Sequence, residues 1–138
     1  MKYKLGCSVI IIDPTKSSSM SVLIGKRLSK NGYGLYSFPG GHVEENETVK
    51  EAAIREVLEE TGMLIYEDGL KELTFTTELK SSDDSKYIRM YYTYYNYGKQ
   101  EPKTLEPLKC EYWFWNPINE IYRYKMWDNG NKILSEYL

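Results

Sequence analysis

Two cysteines and one histidine in 138 residues are too few soft ligands to build a zinc cage. Cys7 sits inside an apolar run and Cys110 lies far along the chain beside Glu111, which is neither a metal-ligand spacing nor a disulfide framework. Both thiols are expected to be reduced, in a cytoplasmic protein. An excess of one charge is also missing. Eighteen Lys and Arg against 20 Asp and Glu leave a formal −2, so no global basic field is available for nucleic-acid phosphates, and nucleic acid is not an expected partner. No wholly apolar run is longer than that of residues 9–12 (VIII), far short of the roughly 20 residues that cross a bilayer. The start, MKYK, leads straight into a strand-like segment, so neither a secretory signal nor a membrane association is expected. Repeats, linkers and low-complexity stretches are absent. What remains, 41% apolar and 28% charged, is the composition of one globular domain over residues 1–138. The oligomeric state is left open, a dimer included.

Residues 5–12 (LGCSVIII) are β-branched and nearly continuous, the pattern of a strand covered on both faces, and Asp13-Pro14 ends it. Residues 21–27 (SVLIGKR) form a second strand, paired with the first as a hairpin with a long connection. After turn chemistry at 29–34, a short extended piece at 35–38 runs into Pro39-Gly40-Gly41, read as a turn where a backbone can approach closely. The best helix is 48–61: Thr48 and Glu51 make a capping box, and Gly62 stands where a left-handed cap is wanted. Strands are expected at 73–79 and 86–97, split by a polar loop at 81–85, and again at 112–115 (YWFW). A helical turn from 117 and a terminal helix over 128–137 follow. The order is that of one mixed α/β domain.

The helix carries charges that do not pair in an obvious way. At 100° per residue Ile54, Val57 and Leu58 share one direction, and Glu56, Glu59 and Glu60 lie roughly opposite beside Ala52 and Ala53. Each i,i+3 or i,i+4 pair of these acids repels by about 0.2–0.5 kcal/mol, and all three lie toward the helix end that disfavours negative charge. A solvated acidic face is the ordinary outcome of such a pattern. Here, however, the Pro-Gly-Gly segment and a further acid, Glu47, directly precede the helix, so carboxylates and backbone carbonyls can converge. Oxygen donors of this kind suit Mg²⁺, with Mn²⁺ as substitute. A metal that keeps waters invites phosphate chemistry.

Written out, Gly41, five residues, Glu47, seven residues, then Arg55-Glu56-Val57-Leu58-Glu59-Glu60-Thr61-Gly62-Met63 resembles the whole Nudix box without departure. The FPGGH approach to it and the chain length also resemble the small MutT-type nucleotide diphosphatases. The resemblance implies an α/β/α sandwich with a mixed β-sheet, and hydrolysis of a nucleoside diphosphate linked to another group. It implies metal ligation by Glu56, Glu59 and Glu60 with the Gly40 carbonyl, and a further loop acid at Glu106. It also implies Arg55 as the residue that orients the acids and Glu47 as a supporting acid. Arg55 stands four residues from both Glu51 and Glu59 and can equally form an ordinary helix salt bridge.

The charges then suggest the chemistry. Pyrophosphate oxygens repel a nucleophile, so divalent ions must screen them and acidify the attacking water. Glu56 is the candidate base by family position, although a carboxylate there can be purely a ligand. Lys26 and Arg27, at the exit of the second strand, are candidates for steadying phosphates. Tyr36 and Trp127 are candidates for holding a base, and Asp128 and Asn129 for reading its edge or simply starting the last helix. Within 87–97 tyrosines fall on both faces, a packing pattern first, with one face able to line a cleft. The expected partner is a nucleotide or other nucleoside diphosphate derivative: a nucleoside triphosphate first, with ADP-ribose, a dinucleoside polyphosphate, a nucleotide sugar or an RNA cap as alternatives, and a non-catalytic nucleotide-binding domain as the competing class.

Overall fold

The computed structural model describes residues 2–80, 84–127 and 129–138. Along the chain come β1 (Lys2–Asp13), β2 (Ser21–Arg27), β3 (Tyr36–Ser37), β4 (Gly40–His42), α1 (Val49–Thr61), β5 (Lys71–Lys80), β6 (Ser85–Tyr95), β7 (Cys110–Pro117) and α2 (Gly130–Tyr137). Short 3₁₀ turns occupy Glu67–Gly69 and Ile118–Arg123. The strands form one sheet in the order β3-β2-β1-β6-β5, with β4 added to β1 and β7 to β2. β1 and β6 run parallel over eleven residue pairs, from Lys2↔Ser85 to Ile12↔Tyr95. The other pairings between these strands are antiparallel, which makes the sheet mixed.

Alternation along β1 explains the layers. Cys7, Val9 and Ile11 point to one face and pack with Ala52, Ala53 and Val57 of α1, whereas Ile10 and Ile12 point to the other and pack with Ile133 and Leu134 of α2. A strand buried on both faces needs residues without charge at nearly every position, and the buried run 6–12, with Ser8 its one polar side chain, supplies them. β6 divides in the same way: Tyr92 joins the α1 core and Tyr91 the α2 core. The result is a helix on each face of a mixed sheet, the expected α/β/α sandwich. No helix among the described residues is long and apolar enough to cross a membrane.

Three expectations need correcting. The β1–β2 hairpin is pinned only at Ile12↔Val22 and Asp13↔Ser21, because the other half of that edge of β1 is taken by β4. Pro39-Gly40-Gly41 is therefore not simply a turn: both glycines lie in β4, opposite Ser8 and Cys7. The helix is also rolled relative to the wheel reading. Its buried residues are Ala52, Ala53, Val57 and Thr61, and Leu58 is 44% exposed. Alanines allow α1 to lie close on β1 and β4, which turns Glu56 and Glu60 beneath the helix instead of out to solvent. The polar loop expected at 81–85 falls partly outside the described residues.

Candidate active site

The site begins with the two ends of α1. At its start Thr48 Oγ1 accepts from the Glu51 N–H at 3.1 Å and Glu51 Oε1 accepts from the Thr48 N–H at 2.8 Å, the expected capping box. At its end Gly62 adopts φ 73°, ψ 1° and donates to the Leu58 carbonyl, a left-handed cap that ordinary side chains resist. Between them, Arg55 spreads over the acids. Its Nε and Nη2 fork onto Glu47 at 3.0 and 2.6 Å, its Nη1 donates to Glu56 at 3.0 Å and Glu59 at 3.3 Å, and Nη2 also reaches the His42 carbonyl at 3.0 Å. The fork and the Glu44 N–H bond hold the Glu47 carboxyl below the usual range. Glu51, occupied by the cap, takes no part.

Glu56 and Glu60 lie under the helix against β4. A Cβ on Gly41 would come within 2.5 Å of the Glu56 carboxyl, so glycine is what leaves room for that acid. Burial pushes Glu56 upward, opposed by Arg55 and reinforced by Glu59 and Glu106. Burial pushes Glu60 well above the glutamate range and neighbouring Glu56 adds to it, although Glu60 Oε2 accepts the Gly40 N–H at 2.9 Å. Glu106 arrives on the loop before β7. There the Leu105 N–H donates to the Glu60 carbonyl at 3.2 Å and the Lys103 N–H to the Thr61 carbonyl at 2.8 Å.

Glu56, Glu60 and Glu106 line one cleft of about 310 Å³, sited where the edge of β1 passes from β4 to β2. Mutually repelling carboxyls, two of them pushed toward their protonated forms, are a donor set that a hard divalent cation relieves. In hardness and charge these residues fit such an ion. Among the described residues no three His, Cys, Asp or Glu close tightly around one point: Glu59 is turned to Arg55 and Glu60 to Gly40. Ligation by Glu59 requires its side chain to leave Arg55.

The facing wall is cationic and aromatic. The Arg27 guanidinium lies 3.8 Å from the Trp127 ring centre and that of Arg89 4.8 Å from it. Arg89 Nη1 also donates to Ser8 Oγ at 3.3 Å. All four residues line the cleft, as does Lys109, whose Nζ lies 3.5 Å from Glu106. Arg27, Trp127 and Gly40 thus stand at the cleft as the sequence reading has them, and His42, read from sequence only as a packing residue, lines it too. Lys26 does not: it alternates away from Arg27 and pairs with Glu111 at 3.6 Å. Tyr36 is also elsewhere, edge-on to Tyr124 at 4.7 Å and to Phe114 at 6.1 Å. Asn129 is exposed at the start of α2 without a side-chain cap, and Asp128 lies outside the described residues. Sequence reasoning missed Arg89 and Lys109. The signal for Arg89 was present, since it is the one cation in the tyrosine-rich run 87–97.

A family model described as the NUDIX domain matches residues 2–137, and the chain belongs to that family. It is similar to the uncharacterised Nudix hydrolase YvcI of Bacillus subtilis, 31% identical over 109 residues that cover 78% of this chain and 66% of the relative. It is also similar to an ADP-ribose pyrophosphatase of Methanocaldococcus jannaschii, 38% identical over 64 residues that cover 46% of this chain and 38% of that one. The chain thus spans between about two fifths and two thirds of the length of these curated relatives. The crystal structure of a MutT NUDIX hydrolase from Burkholderia pseudomallei superposes with a TM-score of 0.82 at 21% identity, covering 100% of this chain and 99% of that one.

Proposed function

We propose that this chain, acting as one domain, is a pyrophosphohydrolase of nucleoside diphosphate derivatives, a nucleoside triphosphate being cut to the monophosphate and pyrophosphate. The observation that carries this reading is the division of one cleft into a carboxyl wall, Glu56, Glu60 and Glu106, and a guanidinium wall, Arg27 and Arg89. Such a pair of walls suits a substrate that brings phosphates and a counter-cation together. Mg²⁺, or Mn²⁺ in its place, would be held by Glu56, Glu59 and Glu60 with the Gly40 carbonyl and Glu106. When bound it supplies charge screening and a more acidic attacking water.

The chain's own groups do the rest. Glu56, by its place in the box and at the cleft, is the candidate base. Arg55 orients Glu56 and Glu59, and Glu47 holds Arg55. Arg27 and Arg89 grip the phosphates, and Trp127 offers its ring to the base. Two buried, unoxidised thiols suit a cytoplasmic setting: burial pushes both up to about 11, which keeps them protonated and unreactive.

The test is a panel of nucleoside triphosphates with Mg²⁺ and with Mn²⁺, products identified by chromatography. Monophosphate with pyrophosphate is expected. ADP-ribose belongs on the panel because one relative carries that activity in its name; AMP released from it, with triphosphates untouched, moves the assignment to that substrate.

A further inference from the structure

The loop that brings Glu106 to the cleft is held from behind by a relay of amides that has no part in the chemistry. Asp13, only 1% exposed, accepts the Asn96 side-chain N–H at 3.0 Å. Asn96, 2% exposed, spends its amide on the main chain of Gln100, accepting the Gln100 N–H at 3.1 Å and donating to the Gln100 carbonyl at 2.9 Å. The Gln100 side chain repeats the pattern one step on. It accepts the Leu64 N–H at 2.7 Å and donates to the Leu64 carbonyl at 2.8 Å, so it bonds Leu64 as a neighbouring strand would. Leu64 lies two residues beyond the Gly62 cap of α1. From Gln100 the chain runs over that cap, with Leu105 Cδ1 and Lys103 Cδ close to where a Cβ on Gly62 would stand. It then donates to the carbonyls of Thr61 and Glu60. Glu60 is therefore tied twice: its carbonyl binds Leu105, and its carboxyl shares the cleft with Glu106, the next residue.

We propose that Gln100 is a positioning residue for the carboxyl site: by stapling the start of the 100–109 loop to Leu64 it fixes that loop on the end of α1 and so sets Glu106 against Glu60 and Glu56. The proposal rests on the reading of Glu106 as part of a cation site. An amide is required because Leu64 presents both a donor and an acceptor, and only Gln or Asn carries the complementary pair on one planar group. Glutamine has the reach; asparagine is one methylene shorter.

The experiment is Mn²⁺ binding to the full chain without substrate, measured by the electron paramagnetic resonance of free Mn²⁺, for wild type, Gln100→Ala, Gln100→Asn, Glu106→Gln and the Gln100→Ala/Glu106→Gln double variant. Both Gln100 variants keep the main chain that Asn96 holds, and circular dichroism checks the fold of each. Glu106→Gln is expected to weaken Mn²⁺ binding about tenfold. Gln100→Ala and Gln100→Asn are expected to weaken it about three- to tenfold, and the double variant to be no weaker than Glu106→Gln alone, because the staple acts only through Glu106. If Glu106→Gln weakens binding and folded Gln100 variants bind as wild type, or if the two losses multiply in the double variant, the positioning role is overturned while the cation reading stands. If Glu106→Gln itself binds as wild type, the reading of Glu106 fails, and the proposal with it.

Discussion

Gly41 shows how a single missing side chain shapes the site. A methyl group added there would stand 2.5 Å from the Glu56 carboxyl, so Gly41→Ala must push Glu56 away from β4. Misplacing that carboxyl by about 1 Å is expected to lower turnover by about 10²-fold with an unchanged circular dichroism spectrum; wild-type turnover would mean that Glu56 has no fixed place in the reaction. Glu47 makes a different kind of contribution. Folding lowers its pKa below the ordinary value of 4.5, so through the acid range the folded chain binds fewer protons than the unfolded chain. The stability it contributes is present above 4.5 and lost as pH falls through the lowered value. Thermal melts of Glu47→Gln against wild type are expected to differ at neutral pH and to converge under acid; a constant gap would assign the effect to packing. At this scale the sequence was partly legible. Glu56, Glu60 and Arg55 could be found because box spacing fixes them along one helix, whereas Lys26 and Tyr36 stand at the right place in the chain but on the wrong side of their strands, which neighbouring pairings decide.

α1 was the most legible element, since both of its ends are written in local chemistry. Thr48→Ala removes the capping bond to Glu51 and is expected to cost about 1 kcal/mol, a fall of roughly 3–5 °C in Tm, with metal affinity retained. Its roll about its own axis was less legible. The wheel put Leu58 toward the core, but the close approach of Ala52 and Ala53 to β1 and β4 governs the packing. Small residues facing a sheet bring a helix nearer and multiply its close contacts with the strands. That roll is what makes Glu56 and Glu60 a partly buried pair and leaves Glu59 half-exposed beside Arg55.

Across the whole molecule, the strands and helices could be read one by one and the α/β/α sandwich followed from the family resemblance, but local pattern did not give the strand pairings. The parallel pairing of β1 with β6 joins residues some 83 apart, and no local pattern announces such a contact. It is also what carries Arg89 to the cleft opposite α1, since Arg89 pairs with Gly6 in that register. The assembled cleft, with carboxyls on one side and guanidiniums on the other, is the basis of the central claim that the chain cuts pyrophosphate links with a divalent cation. The most direct test is product-resolved turnover of nucleoside triphosphates by wild type and Glu60→Gln, each with Mg²⁺ and with Mn²⁺. Wild type is predicted to give monophosphate and pyrophosphate only when metal is added, with at least about 10²-fold less from a folded Glu60→Gln; nucleotide binding without any product in either metal, or equal turnover by the two proteins, would contradict the claim.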